Sequence, residues 1–151
     1  METESRLIRP ATAGLAYAIL AFAVGFALGT VRVLLVVPRT GPTVAVLLEV
    51  PVILAASWWI ARLCAARFEV SRAVAARVVM GLAALLILTL AEVTLSLFLF
   101  GRSVTEYLAS LTTLAGAIGL AGQVAFAAFP LVQARLASRQ PVDTVRLSPR
   151  L

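Results

Sequence analysis

The sequence predicts an all-α fold: a membrane-embedded bundle of four transmembrane helices with both termini cytoplasmic. Three observations point there. Of 151 residues, 62% are hydrophobic and only 13% charged, with a mean hydropathy of +1.03, whereas a soluble domain carries about 45–50% apolar and about 25% charged residues. Four apolar stretches each reach the roughly 20 residues that a spanning helix needs. The arginines gather at alternate connections between those stretches, as a positive-inside bias requires. The same composition excludes an ordinary soluble globule, a disordered chain and a nucleic-acid partner.

The first span is expected over about residues 11–34. Pro10 can occupy its first turn, where a missing N–H costs little. Arg6, Arg9 and the run Ala21-Phe22-Ala23 resemble a signal peptide with its cleavage site, but the apolar pattern continues past them, which favours an uncleaved anchor. Pro38-Arg39-Thr40-Gly41-Pro42 is a turn that neither flanking helix can cross. The second span, about 43–62, contains the apolar stretch Thr43 to Ala61, broken only by Glu49, and the third, about 75–100, the stretch Val78 to Phe100, broken only by Glu92. Ser71 is the expected N-cap of the third. Ser103-Val104-Thr105-Glu106 has the pattern of a capping box opening one continuous fourth helix over about 105–133. Residues 1–137 form a single membrane domain in this scheme, and 138–151 a polar tail expected to be disordered.

With four spans, the N-terminus, the middle loop and the C-terminus share one side. That side holds Arg6, Arg9, Arg62, Arg67, Arg72, Arg77, Arg135, Arg139, Arg146 and Arg150, against Arg39 and Arg102 on the other. Both termini are therefore expected in the cytoplasm. Trp58 and Trp59 fall at the cytoplasmic interface and Tyr107 at the outer one. The arginine-rich middle loop, Arg62 to Arg77, is a topology signal or a docking patch for anionic lipid headgroups.

The chain has no His, Lys or Asn, and Cys64 is its single cysteine. Because Lys and Asn have A-rich codons, that bias suits a GC-rich bacterial genome. A His-ligated metal, an intrachain disulfide, a His-based triad and a Schiff base are all excluded. No metal, cofactor or catalytic residue is expected, and Cys64 reads as a small buried hydrophobe at a helix end.

Three ionisable residues interrupt the spans: Arg32, Glu49 and Glu92. At a rise of about 1.5 Å per residue they lie roughly 9, 10 and 13 Å inside the outer ends of their helices, hence at similar depth. Arg32 keeps its proton in almost any environment and needs a carboxylate, for which Glu49, in the adjacent span, is the natural partner. A second acid in the same dry pocket, Glu92, is expected to carry a proton near neutral pH. Thr89 and Ser96 extend the polar stripe of Glu92, and Thr112, Gly116, Gly119 and Gln123 line up on the fourth span. Gly25 and Gly29 form a GxxxG pair leading to Arg32. Such small residues let helices approach closely, so these faces are expected to meet at the bundle centre.

The segments Gly29-Thr30-Val31-Arg32, Pro38-Arg39-Thr40-Gly41 and Glu49-Val50-Pro51, with Glu92 and the Gly/Gln/Pro pattern of the fourth span, resemble a group of small four-span inner-membrane proteins of GC-rich proteobacteria. The resemblance covers most of the chain and implies fold and location only. Two functions remain open. One is a non-catalytic accessory, scaffold or assembly component of the bacterial inner membrane, held together by the Arg32/Glu49/Glu92 cluster, as a homo-oligomer or in a larger membrane complex. The alternative is a small oligomeric proton-linked carrier, with Glu92 as the protonatable group and Arg32 as an anion or counter-charge site.

Overall fold

The computed structural model describes residues 2–138, with side chains from Leu7 onward; the expected tail and the flanking arginines Arg6, Arg139, Arg146 and Arg150 lie outside the described residues or side chains. Every regular element among the described residues is helical: α1 (Glu2–Val31), a π turn (Arg32–Val36), α2 (Val37–Thr40), α3 (Pro42–Arg67), α4 (Val74–Thr94), a second π turn (Leu95–Leu99), α5 (Val104–Leu111) and α6 (Leu114–Ser138). Four helical segments are long and apolar enough to cross a membrane: Leu7–Thr40, Pro42–Arg67, Val74–Leu99 and Leu114–Ser138.

Around the bundle the order is α1, α3, α6, α4, since α1 packs on α3 and α4, and α6 packs on the same two helices. The sequential pair α3 and α4 therefore lies across a diagonal. So does α1 from α6, and Tyr17 spans that second diagonal. Pro130 lies inside α6, and its missing N–H leaves the carbonyl four residues earlier without a helical donor. That carbonyl belongs to Phe126, and the Tyr17 hydroxyl donates to it at 3.0 Å. The Tyr17 and Phe126 rings stack with centroids 4.1 Å apart.

The apolar core is concentrated at the end of the bundle that carries the α3–α4 loop. Ala13, Tyr17, Ala18, Ala61, Cys64, Ala65, Val70, Met80, Ala84 and Phe126 are all buried there. Small residues let the backbones close. A Cβ on Gly81 would stand 2.1 Å from the Ala127 carbonyl oxygen of α6, and one on Gly14 would stand 2.6 Å from the Met80 carbonyl oxygen of α4.

The loop at this end is built from side-chain and backbone closures. Val70 N–H bonds to Ala65 O at 2.9 Å and Glu69 N–H to Ala66 O at 3.2 Å, the double closure of a Schellman motif. Glu69 occupies its left-handed position at φ 51°, where a side chain is strained and glycine is not. Glu69→Gly is expected to stabilise the protein by about 1 kcal/mol. The Arg9–Glu69 ion pair that it removes is largely exposed on both sides, and such pairs contribute little. An unchanged or lowered unfolding midpoint in detergent would contradict this. Arg77, expected from sequence to act as a topology charge, is buried, and donates from Nε to Ser71 O and from a terminal nitrogen to Val70 O, both at 3.0 Å. Arg77→Leu leaves both carbonyls without that donor, and a loss of about 2 kcal/mol is expected in the same unfolding measurement.

Five sequence expectations are corrected. Pro38 to Pro42 is not one turn: helical residues run on through Pro38 to Thr40, and the break falls at Gly41, φ 78°. The first helix begins at Glu2, so Pro10 lies inside it and not in its first turn. Ser71 is not the N-cap of α4. Ala73 is, while the Ser71 hydroxyl accepts from the Ala73 N–H within the loop. The fourth span is not continuous from 105. Thr112 and Thr113 donate their hydroxyls back to Ala109 O and Ser110 O, a local competition that ends α5, and Thr113 then caps α6 by accepting from Gly116 N–H at 3.0 Å. Finally, Ser138 belongs to α6 and not to the tail.

The capping box at Ser103 is present in both halves. Ser103 Oγ accepts from Glu106 N–H, and the Glu106 carboxylate accepts from Ser103 N–H at 2.7 Å. The Ser103 backbone and hydroxyl bonds, more than the nearby Arg102, hold the Glu106 carboxyl below the usual glutamate range. A depressed carboxyl lends stability that is full above its ordinary pKa and lost as pH falls through the depressed one. The protection factor of the α5 amides, with the intrinsic exchange rate divided out, is therefore expected to fall on acidification through that window, and Glu106→Ala should be poorly protected at every pH. A wild-type protection factor indifferent to acid would contradict it.

Candidate functional site

At the opposite end of the bundle, few apolar residues are buried and polar groups take over. Arg32 closes α1 and forms an ion pair with Glu49 of α3. Gly29 lies beneath the pair, with its Cβ position 3.8 Å from Glu49 Oε1, so a larger side chain there would meet the carboxylate. The backbone is also unusual at Arg32. Its carbonyl accepts from Val37 N–H, five residues on, which widens the turn just before Pro38. A proline ring collides with the carbonyl four residues earlier, and the extra residue of a π turn moves that carbonyl away.

Glu92 of α4 has a different partner. Gln123 of α6 donates its amide N–H to the Glu92 carboxylate. Among the described residues, the ion pairs are Arg9–Glu69 and Arg32–Glu49, and none involves Glu92. The three sequence-predicted charges thus separate into a charged pair joining α1 to α3 and a neutral-donor pair joining α4 to α6. Both sit at one level, because Gly122, next to Gln123, faces Val50, next to Glu49. The result is a polar layer to which all four spanning helices contribute.

The supporting residues divide. Ser96, one turn beyond Glu92, is buried, and Thr89 is half-buried one turn before it. The second π turn begins at Leu95, directly after α4 ends, and closes with Phe100 N–H on Leu95 O and Arg102 N–H on Ser96 O; Gly101, at φ 62°, makes that closure possible. Tyr107 of α5 lies near the layer, and its phenol is pushed above the usual range, mainly by burial and secondarily by the Glu92 carboxylate. Thr112 is exposed in the α5–α6 break and does not join the layer. Gly116 serves the same break, its Cβ position being 2.1 Å from Ser110 O. Gly119 has no neighbour within 4 Å of its Cβ position, and Gly25 meets only the Ile53 side chain at 3.7 Å. The close approaches belong instead to Gly14 and Gly81, which no sequence pattern singled out.

The fold and the layer together define a four-helix protein whose helices can cross a membrane, with an ion pair and a carboxyl–amide pair at one depth. Comparison with protein-family models, characterised proteins and solved structures finds no match.

Proposed function

We propose that the chain is a multi-pass component of the bacterial inner membrane without catalytic activity, serving as an accessory, scaffold or assembly subunit. The observation that carries this reading is the packed core across one half of the bundle, where Tyr17, Met80 and Phe126 occupy the axis. Its buried side chains hold four helices in one arrangement and fill the interior of that half, so the oligomeric carrier alternative would need a path between protomers. The residue types support it as well, since a chain without His or Lys has neither the commonest general base nor an amine nucleophile. The resemblance to small four-span proteins of GC-rich proteobacteria supports the location.

Both termini face the cytoplasm in this proposal, and the exposed Arg62, Arg67 and Arg72 lie against anionic headgroups there. Extraction from its native membrane in mild detergent tests the role. The expected result is a complex larger than the lone chain, with the same second component or a fixed number of copies in repeated preparations. A lone protomer that gains no partner on cross-linking in intact membranes would overturn it. Reporter fusions at the C-terminus test the orientation, and activity of an externally folded reporter would reverse it.

A further inference from the structure

We propose that Glu92, Ser96 and Gln123 form a binding site for a single monovalent cation, between α4 and α6. Arg32 neutralises Glu49, which leaves the Glu92 carboxylate as the unbalanced charge of the layer. Arg32 and Glu49 are the charged groups that α1 and α3 bring to this level, α5 brings Tyr107, and the facing residue of α6 is the neutral Gln123. An isolated charge in an apolar segment is expensive unless something of opposite sign accompanies it.

A second observation locates the companion. Ser96 is only 8% exposed, and its hydroxyl has no hydrogen-bond partner among the described residues. A serine in a helix ordinarily bonds back to the carbonyl four residues earlier, which here belongs to Glu92. The Ser96 carbonyl is already occupied by Arg102 N–H, so the hydroxyl is the group left open. It lies one turn from Glu92 on the same face of the helix. A carboxylate and a hydroxyl, joined by the Gln123 amide once it turns to present its oxygen in place of the N–H that bonds Glu92, make an all-oxygen donor set of the kind hard cations choose. The same set holds a proton or a sodium ion, and the shared chemistry is a single positive charge on oxygen. Occupancy of the site does not depend on the assembly role proposed above.

Reaction of the purified full-length protein with a hydrophobic carbodiimide, followed by intact mass and peptide mapping, tests this. The reagent modifies protonated carboxyls embedded in apolar surroundings. In sodium-free buffer near neutral pH, one adduct is expected, mapping to Glu92, and Glu92→Gln should lose it while unfolding as a native bundle. Sodium slowing the reaction severalfold, with potassium at equal ionic strength as control, identifies sodium as the occupant. Ser96→Ala should then weaken that protection severalfold while keeping the adduct. Labelling indifferent to sodium identifies the proton. No adduct at Glu92 across the neutral range, or equal labelling of Glu49, would overturn the site.

Discussion

Gly81→Val is expected to lower stability by about 3 kcal/mol or to prevent the native bundle from forming. The first atom of any side chain at this position falls 2.1 Å from the Ala127 carbonyl oxygen. That obstacle is backbone, and it cannot rotate away as a flexible side chain could. Relief requires α6 to move off α4, which would also disturb Phe126 and its stacking on Tyr17. Even Gly81→Ala should be clearly destabilising, although alanine is the better helix former by about 1 kcal/mol. Gly119→Ala is the matched control, because its Cβ enters open space. Thermal unfolding in detergent, followed by circular dichroism, decides the matter. Equal midpoints for wild type and Gly81→Val would show that the two helices are not in close contact.

Glu49→Leu is expected to lower stability by about 3–5 kcal/mol, because it leaves the Arg32 guanidinium without its carboxylate among apolar segments. The double variant Arg32→Met, Glu49→Leu should recover most of that loss. Removing both charges also removes the cost of keeping them out of water, and a well-packed apolar pair is often as stable as the ions. The charge swap Arg32→Glu, Glu49→Arg should recover less, since the shorter glutamate on the α1 side and the longer arginine on α3 do not reproduce the packing of the pair over Gly29. A single Glu49→Leu variant as stable as wild type would remove the ion pair as a tie between α1 and α3. Glu92→Gln, by contrast, exchanges one neutral-bonded group for another and should be mild.

The polar layer was legible because charge in an apolar run is a rare event in one dimension. Arg32, Glu49 and Glu92 stand out at once, and the constant rise of a helix converts their positions into similar depths. The partner of Arg32 followed from adjacency in the chain. The partner of Glu92 did not, because Gln123 comes from a helix whose neighbours depend on how the bundle closes. The expectation of one three-charge pocket gave way to two pairs for that reason. Thr112 was placed on an inner face by assuming one unbroken helix, and the paired threonines that bond back to their own carbonyls broke it. Thr112-Thr113 followed by Gly116 was the available signal.

Close approaches were illegible for a different reason. Gly25 and Gly29 fit a recognised spacing, whereas Gly14 and Gly81 are single glycines in alanine-rich sequence. Which glycine touches a neighbouring backbone depends on rotation about the helix axis and on the order of helices around the bundle. Neither quantity is written in a local pattern. Arg77 carries the same lesson, since a loop arginine that closes its own turn has the same local sequence as one that faces solvent.

What the sequence determined by itself is the class of protein: helical, apolar over four lengths suited to a membrane, capped at Ser103, and charged at one shared depth. These follow from composition, period and residue chemistry, all of which act along the chain. Only the tertiary structure decided the ring order α1–α3–α6–α4, the anchoring of Tyr17 on the carbonyl freed by Pro130, the closure at Gly14 and Gly81, and the separation of Glu92 from the ion pair. Those depend on which backbones meet. In a chain whose surfaces are apolar on every side, hydrophobicity cannot distinguish the inner face of a helix from the outer, so small residues and a few polar contacts make the choice.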